Sequence, residues 1–136
     1  MERIVCILIG YIFGLFQTGY LYGRMNHVDI RKMGSGNAGS TNALRTLGVK
    51  AGVCTFLGDS FKCIFAVLAV RLIFGGNYGE ILPLLSIYAG LGAVLGHNFP
   101  FYLGFKGGKG IAAMAGLLAA LTNLWITLIA LVVFVT

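Results

Sequence analysis

A chain of 136 residues that is 58% hydrophobic and 10% charged, with a mean hydropathy of +0.91, has too little polar surface to cover a soluble globule. A soluble domain carries roughly a quarter charged residues, so the composition excludes that class and points to an all-α integral membrane protein forming a single transmembrane domain over residues 1–136. The net charge of +6 then reads as membrane orientation and affinity for anionic headgroups or substrates, not as a nucleic-acid footprint.

The first apolar segment, about 3–23 (RIVCILIGYIFGLFQTGYLYG), is long enough to span a bilayer. It has no strongly basic n-region and no convincing A-x-A site, so it is expected to be a retained helix and not a cleaved signal. A basic connection follows, with Arg24, Arg31, Lys32, Arg45 and Lys50 against Asp29 alone. Within it, 34-GSGNAG-39 matches G-x-G-x-x-G, and Asp59 follows Gly39 by twenty positions, as a ribose-binding acid would. The context contradicts a dinucleotide site: the glycines follow an apolar segment and the polar run 24-RMNHVDIRK-32, and Asp59 lies inside a second apolar stretch, where strands are required.

What survives is anion chemistry. Ala38, Ala43, Leu44 and Leu47 suit a short helix stopped by Gly48, with Ser35, Asn37 or Ser40 able to cap its start. Such a helix, with Gly34 and Gly36 just upstream, would expose backbone N–H groups to a phosphate or carboxylate. Thr41 and Arg45, four apart, would share a face, and Arg can hold a phosphate by two parallel hydrogen bonds. An interfacial helix with an ordinary cap and a snorkelling Arg fits the same spacing, and both readings stay open.

The second apolar segment, about 49–74, is interrupted by Asp59, Lys62 and Arg71; Asp59 and Lys62 stand at i, i+3 and are expected to pair inside the protein. Cys6, Cys54 and Cys63 all lie in apolar stretches, which fits buried thiols and neither a disulfide framework nor a metal site. The third segment runs about 81–98 and the fourth about 111–135, giving about four transmembrane helices. Threaded so, the two basic connections share a face, which the positive-inside rule assigns to the cytoplasm, with the N-terminus outside. Gly10, Gly14, Gly90, Gly92, Gly96 and Gly116 fall within the helices and are expected to permit close helix packing.

The connection between the last two segments belongs to 96-GHNFPFYLGFKGGKGIAAMAG-116. A Walker loop would need Gly at 103 and Ser or Thr at 110, where Leu103 and Gly110 stand, so ATP binding is not supported. Glycine-rich backbone, Lys106, Lys109 and a helix start remain: a second anion nest, or a basic loop on lipid phosphates. His97 reads as a general base, a phosphate ligand or a structural hydrogen-bonding residue. Phe99, Phe101, Tyr102 and Phe105 read as an interfacial aromatic belt.

At these two clusters the chain resembles the PlsY family of bacterial acyl-phosphate:glycerol-3-phosphate acyltransferases, through DIRKMGSGNAGSTNALRTLGVKAG (29–52), GHNFPFYLGFKGGKGIAAMAG (96–116), 57-LGDSFK-62 and 20-YLYGR-24. The resemblance implies a multi-pass enzyme of the bacterial inner membrane, with two short glycine-rich interfacial loops or half-helices on the cytoplasmic face. It also implies transfer of a fatty acyl group from acyl phosphate to the 1-hydroxyl of glycerol 3-phosphate, giving lysophosphatidate and inorganic phosphate. No cofactor and no metal are implied; the partners are acyl phosphate, glycerol 3-phosphate and membrane lipid, without nucleic acid, and a homo-oligomer is left open.

By motif position, Ser35, Asn37, Thr41, Asn42 and Arg45 would form one part of the site, and His97, Asn98, Lys106, Gly107, Gly108 and Lys109 the other. Arg45 and Lys106 are expected to clamp substrate phosphate, while backbone N–H groups around Gly107 to Lys109 hold the second. Ser35, Arg45, His97 and Lys106 are the expected catalytic residues, and the hydroxyl proton is expected on a phosphate oxygen or on His97. The chain departs from the family in having Phe16-Gln17 where Pro is usual and Cys63 where Gly follows the lysine. The family also carries a third motif, with further Ser, Asn and His residues, in a part beginning about where Val135 and Thr136 lie. This chain is therefore expected to be either the N-terminal part of such an enzyme or a reduced homologue. The alternative is a non-catalytic membrane protein that binds phosphate or acyl phosphate or partners a full-length relative.

Overall fold

The computed structural model describes residues 1–135, and among them every regular element is helical: α1 (Glu2–Gly14), α2 (Thr18–Met25), α3 (Ser40–Leu47), α4 (Val49–Phe74), α5 (Leu82–Asn98), α6 (Ile111–Leu121) and α7 (Leu124–Val135). Three stretches are long and apolar enough to cross a membrane: Glu2–Met25, Val49–Phe74 and Gly79–Leu103. The expected fourth span is instead two short helices. Thr122 Oγ1 donates to the Leu118 carbonyl, and Asn123 Oδ1 accepts from the Ile126 N–H at 3.0 Å, so one polar pair ends α6 and caps α7.

The first span is also interrupted, between Gly14 and Thr18, without a proline. Gln17, fully buried at the break, ties it to α5: Nε2 donates to the carbonyls of His97 (2.9 Å) and Gly96 (3.3 Å), and to that of Gly14 (3.4 Å) at the end of α1. The carbonyls freed at the break are met by side chains: that of Gly14 by Gln17 and Lys62, that of Phe16 by Lys62 of α4 and that of Leu15 by Tyr102. Non-helical backbone at membrane depth persists only where protein satisfies it.

α1 packs on α5 through a seam of glycines. A Cβ on Gly10 would fall on the Ala89 carbonyl, one on Gly14 on that of Ala93, one on Gly92 on that of Ile7 and one on Gly96 on that of Tyr11. The backbones approach so closely that only hydrogen fits between them. Gly116 meets the Ser60 carbonyl of α4 in the same way, where Ser60 Oγ donates to Ala112 O at 2.9 Å, and Gly90 lies under Leu117. All six helix glycines therefore sit at helix contacts, as expected.

α4 is central and touches α1, α2, α3, α5 and α6. Its 26 residues span about 39 Å, beyond the roughly 30 Å hydrocarbon core. Its first turns carry α3, which folds back through Gly48 (φ 99) so that Leu44 lies on Gly52. Ile30, Ala38, Ala43 and Ala51 are buried together there. Cys63, Ala66 and Ala93 fill the middle of the bundle, and Cys6, Val70, Leu85 and Ala89 fill its far end. This topology brings the two glycine-rich connections to one face, where Arg31 Nη1 of the first donates to Leu103 O of the second at 3.3 Å.

Candidate functional site

The first loop is built around one side chain. Asn42 is 2% exposed; its Oδ1 accepts from the Ser35 N–H at 3.1 Å, and its Nδ2 donates to the carbonyls of Asn37 (2.8 Å), Met33 (3.0 Å) and Ile30 (3.1 Å). Gly34 (φ 54) has no room for a side chain because Asn42 Oδ1 lies there, and Gly36 (φ 77) turns the chain with its N–H on Met33 O at 2.9 Å. Asn37 Oδ1 accepts from the Gly39 N–H at 2.8 Å, and Gly39 occupies the N-cap position of α3. None of the three expected side chains caps the helix directly. The first N–H groups of the helix receive no side-chain cap, and of its first three residues Thr41 is exposed, Ser40 half-buried and Asn42 buried.

Thr41 and Arg45 lie one turn apart on α3 and are both exposed. Arg45, Lys106 and Lys109 have no ion-pair partner among the described residues, whereas Arg31 is committed to Asp29 (Nη2–Oδ2 2.9 Å) and lies 4.9 Å over the Tyr20 ring. Hydrogen bonds from Arg31 hold the Asp29 carboxyl below the usual carboxylate range and raise Arg31 in turn. The loop's one acid is thus consumed in bracing it, and its free charge is positive.

The second loop descends beside the break in the first span. Tyr102 Oη donates to Leu15 O at 2.5 Å and Tyr11 Oη to Phe99 O at 2.8 Å, so two residues of the aromatic region act as struts between loop and helix. The Gly107 N–H donates to Asn98 O (3.0 Å) and the Gly108 N–H to His97 O (3.2 Å). These bonds correct an expectation: the N–H groups of Gly107 and Gly108, like that of Gly36, are used inside the fold and are not available to a phosphate. The N-terminus of α6, which follows Lys109 and Gly110, receives no side-chain cap, and a pocket of about 200 Å³ there is lined by Lys109, Gly110, Ile111 and Met114. The glycines are needed for fit: a Cβ on Gly107 would fall on the His97 carbonyl, one on Gly108 on His97 Nε2, and one on Gly110 on Asn98 Oδ1. Asn98 Oδ1 is buried without a hydrogen-bond partner and faces Gly110.

Beneath the loops lies a buried polar cluster. Lys62, 4% exposed, donates to Phe16 O (2.6 Å) and Gly14 O (3.1 Å), the carbonyls freed where α1 breaks, and its Nζ is 2.8 Å from His97 Nδ1. Asp59 Oδ1 lies 3.2 Å from the same ammonium, which is the pairing expected at i, i+3. The expected pair thus extends to a helix break and to His97, which is itself only 1% exposed. Against Lys62 opens an apolar groove of about 420 Å³ between α1 and α4, lined by Ile12, Phe13, Phe16, Phe61 and Phe65.

Asn42 was expected to hold phosphate, but its buried amide is saturated by the loop, so it shapes the site without facing a ligand. Ser35, Thr41, Arg45, Lys106 and Lys109 are exposed, and Asn37 and Asn98 are half-buried beside them. Sequence reasoning missed Gln17, the Arg31 bridge and the Lys62 contacts. The signal for Gln17 was a lone amide inside an apolar span; the other two depend on pairs far apart in sequence.

The family model described as glycerol-3-phosphate acyltransferase matches residues 4–136. Curated glycerol-3-phosphate acyltransferases are similar in sequence: one from Alkaliphilus metalliredigens is 48% identical over 85% of this chain and 56% of its own length, and one from Clostridioides difficile is 47% identical over 97% and 64%. The crystal structure of PlsY (YgiH), an integral membrane glycerol 3-phosphate acyltransferase, in its glycerol 3-phosphate form, superposes with a TM-score of 0.82 at 32% identity, covering 99% of this chain and 64% of that one. The chain thus spans less than two thirds of the length of each of these relatives. Matched along nearly its whole length in both sequence and fold, it belongs to the glycerol-3-phosphate acyltransferase family of integral membrane proteins.

Proposed function

We propose that this chain carries the acyl-phosphate-dependent acyltransferase site of its family, or the larger part of it. The observation that carries the reading is that two glycine-rich loops, joined by Arg31 Nη1 on Leu103 O, carry Arg45, Lys106 and Lys109 without ion-pair partners among the described residues, in a fold that also opens an apolar groove against Lys62. Two phosphate-bearing substrates, one with a fatty tail, need that combination. In the proposed reaction the 1-hydroxyl oxygen of glycerol 3-phosphate attacks the acyl carbon of acyl phosphate. The new C–O ester bond forms, the bond from that carbon to the phosphate oxygen breaks, and inorganic phosphate leaves, its oxygen taking the hydroxyl proton.

Arg45 with Thr41 and the α3 N-terminus would hold one phosphate, and Lys106, Lys109 and the α6 N-terminus the other; Ser35 and Asn37 stand at the edge of the first. The acyl chain would lie in the groove between α1 and α4, with its headgroup at the loops. Acyl phosphate is already activated, so aligning the hydroxyl and stabilising the developing oxyanion can supply much of the acceleration without a covalent nucleophile. Excess Lys and Arg on the loop face favours a cytoplasmic site. The test is transfer of labelled acyl from acyl phosphate to glycerol 3-phosphate by membranes containing this chain. Lysophosphatidate formation that requires both substrates supports the reading, and folded protein without product above background overturns it.

A further inference from the structure

We propose that Lys62 is a positioning residue that fixes His97 as the Nε2–H tautomer, so that His97 acts toward the glycine loop as a hydrogen-bond donor and not as a base. The inference rests on the site proposed above, but its own evidence is the proton count around one buried nitrogen.

Four groups surround Lys62 Nζ: Phe16 O at 2.6 Å, His97 Nδ1 at 2.8 Å, Gly14 O at 3.1 Å and Asp59 Oδ1 at 3.2 Å. An ammonium has three protons and no acceptor. The first three contacts have hydrogen-bond geometry, whereas Asp59 Oδ1 sits 3.2 Å from Nζ outside that geometry and 3.7 Å from His97 Nδ1, too far for a hydrogen bond, so Asp59 balances the charge while the three protons point elsewhere. The two carbonyls can only accept, which leaves the third ammonium proton for His97 Nδ1.

Nδ1 must therefore be the unprotonated nitrogen. A proton there would set two donors 2.8 Å apart, and an imidazolium would add a second cation at the same distance. The remaining ring proton belongs on Nε2. That nitrogen lies over Gly108, where any side chain would strike it. It is thus the ring nitrogen that borders the loop between Lys106 and Lys109. With Nδ1 occupied by Lys62 and Nε2 already protonated, the ring has no free lone pair to receive a substrate proton. The arrangement also explains the placing of a lysine at a helix break: one ammonium satisfies two orphan carbonyls and sets the tautomer of a residue 35 positions away.

Nitrogen-15 NMR of histidine-labelled full chain in lipid nanodiscs distinguishes the tautomers by the shifts of the two ring nitrogens. His27→Asn removes the second histidine, which is exposed and has a positive φ of 62 that Asn tolerates. At neutral pH His97 is expected as a single Nε2–H species. In the charge-neutral pair Asp59→Asn with Lys62→Met it is expected to lose that exclusivity and populate the Nδ1–H form. An Nδ1–H or imidazolium signal in the parent protein, or an unchanged tautomer in the double variant, overturns the proposal. If the double variant does not fold, the parent spectrum alone decides.

Kinetics give a second arm. His97→Gln keeps an N–H donor and cannot act as a base, so it is expected to retain about tenfold more activity than His97→Ala, the span of one hydrogen bond; equal losses would point to a base and overturn the proposal. A chain that shows the tautomer but no acyl transfer leaves this inference standing and refutes the function proposed above.

Discussion

Replacing Asn42 with alanine removes the one side chain that joins residues 30, 33, 35 and 37. Four hydrogen bonds vanish at a position that is 2% exposed: the Ser35 N–H and the Asn37 carbonyl lose the Asn42 amide, while the Ile30 and Met33 carbonyls keep only the N–H groups of Met33 and Gly36. At about 1 kcal/mol net for each bond, and with water able to reach the half-buried members, the expected loss is about 2–4 kcal/mol, concentrated in the loop. Asn42→Asp is the informative companion. It keeps the acceptor facing the Ser35 N–H but sets a carboxylate against three carbonyls, and should destabilise the loop at least as much. The assay is hydrogen exchange over residues 29–48 in detergent, read beside the affinity for inorganic phosphate. Both variants should speed exchange at Gly34 to Gly39 and weaken phosphate binding together. Unchanged exchange with phosphate affinity alone reduced would mean that Asn42 touches the ligand, and the scaffold assignment would be wrong.

Arg45→Ala and Lys106→Ala should each lower acyl transfer by more than about tenfold, since a charge-assisted hydrogen bond contributes about 1.5–3 kcal/mol. Both side chains are exposed and outside any ion pair among the described residues, so the melting temperature should hold; a parallel fall in stability would count against a ligand role. Gly10→Ala and Gly92→Ala put a methyl on the Ala89 and Ile7 carbonyls and should cost about 1–3 kcal/mol as α1 and α5 separate. Gly76→Ala, with no neighbour within 4 Å, is the silent control, and equal melting of all three would refute the seam. Because Arg31 lowers the folded carboxyl of Asp29, the stabilisation from that pair is present above the unfolded carboxylate value of about 3.9 and is lost as pH falls through the folded one. Loop protection measured by hydrogen exchange should therefore decline below about pH 4, and Asp29→Asn should flatten that decline. An identical acid limb in the variant would show that the pair does not brace the loop.

Several features were legible in sequence because they depend on composition or on neighbours a few residues apart. Too few charges to cover a globule meant a membrane protein. Ala43, Leu44 and Leu47 before Gly48 meant a short helix with a stop, and Thr41 and Arg45 shared its face by helical periodicity. Glycines at 10 and 14, and again at 92 and 96, announced close packing. The likeness to the family rested on long runs of this kind and was read correctly.

Other features belong to pairs that only folding brings together. Gln17 could not be seen to hold open a helix break, because its acceptors are about 80 positions away on α5. The glycine N–H groups of the second loop looked free for a phosphate, yet two are bonded to the carbonyls of His97 and Asn98, since the loop folds back on the helix it leaves. The fourth apolar run looked continuous because hydropathy averages over Thr122 and Asn123, whereas capping is decided by those two side chains. Lys62 and Asp59 formed the pair their spacing suggested; the third member, His97, joined them only because the glycine seam draws α5 against α1 beside α4. Local chemistry thus assigned the chain to a membrane, whereas contacts between residues far apart in sequence decided which loop N–H groups are bonded inside the fold and set Lys62 against His97.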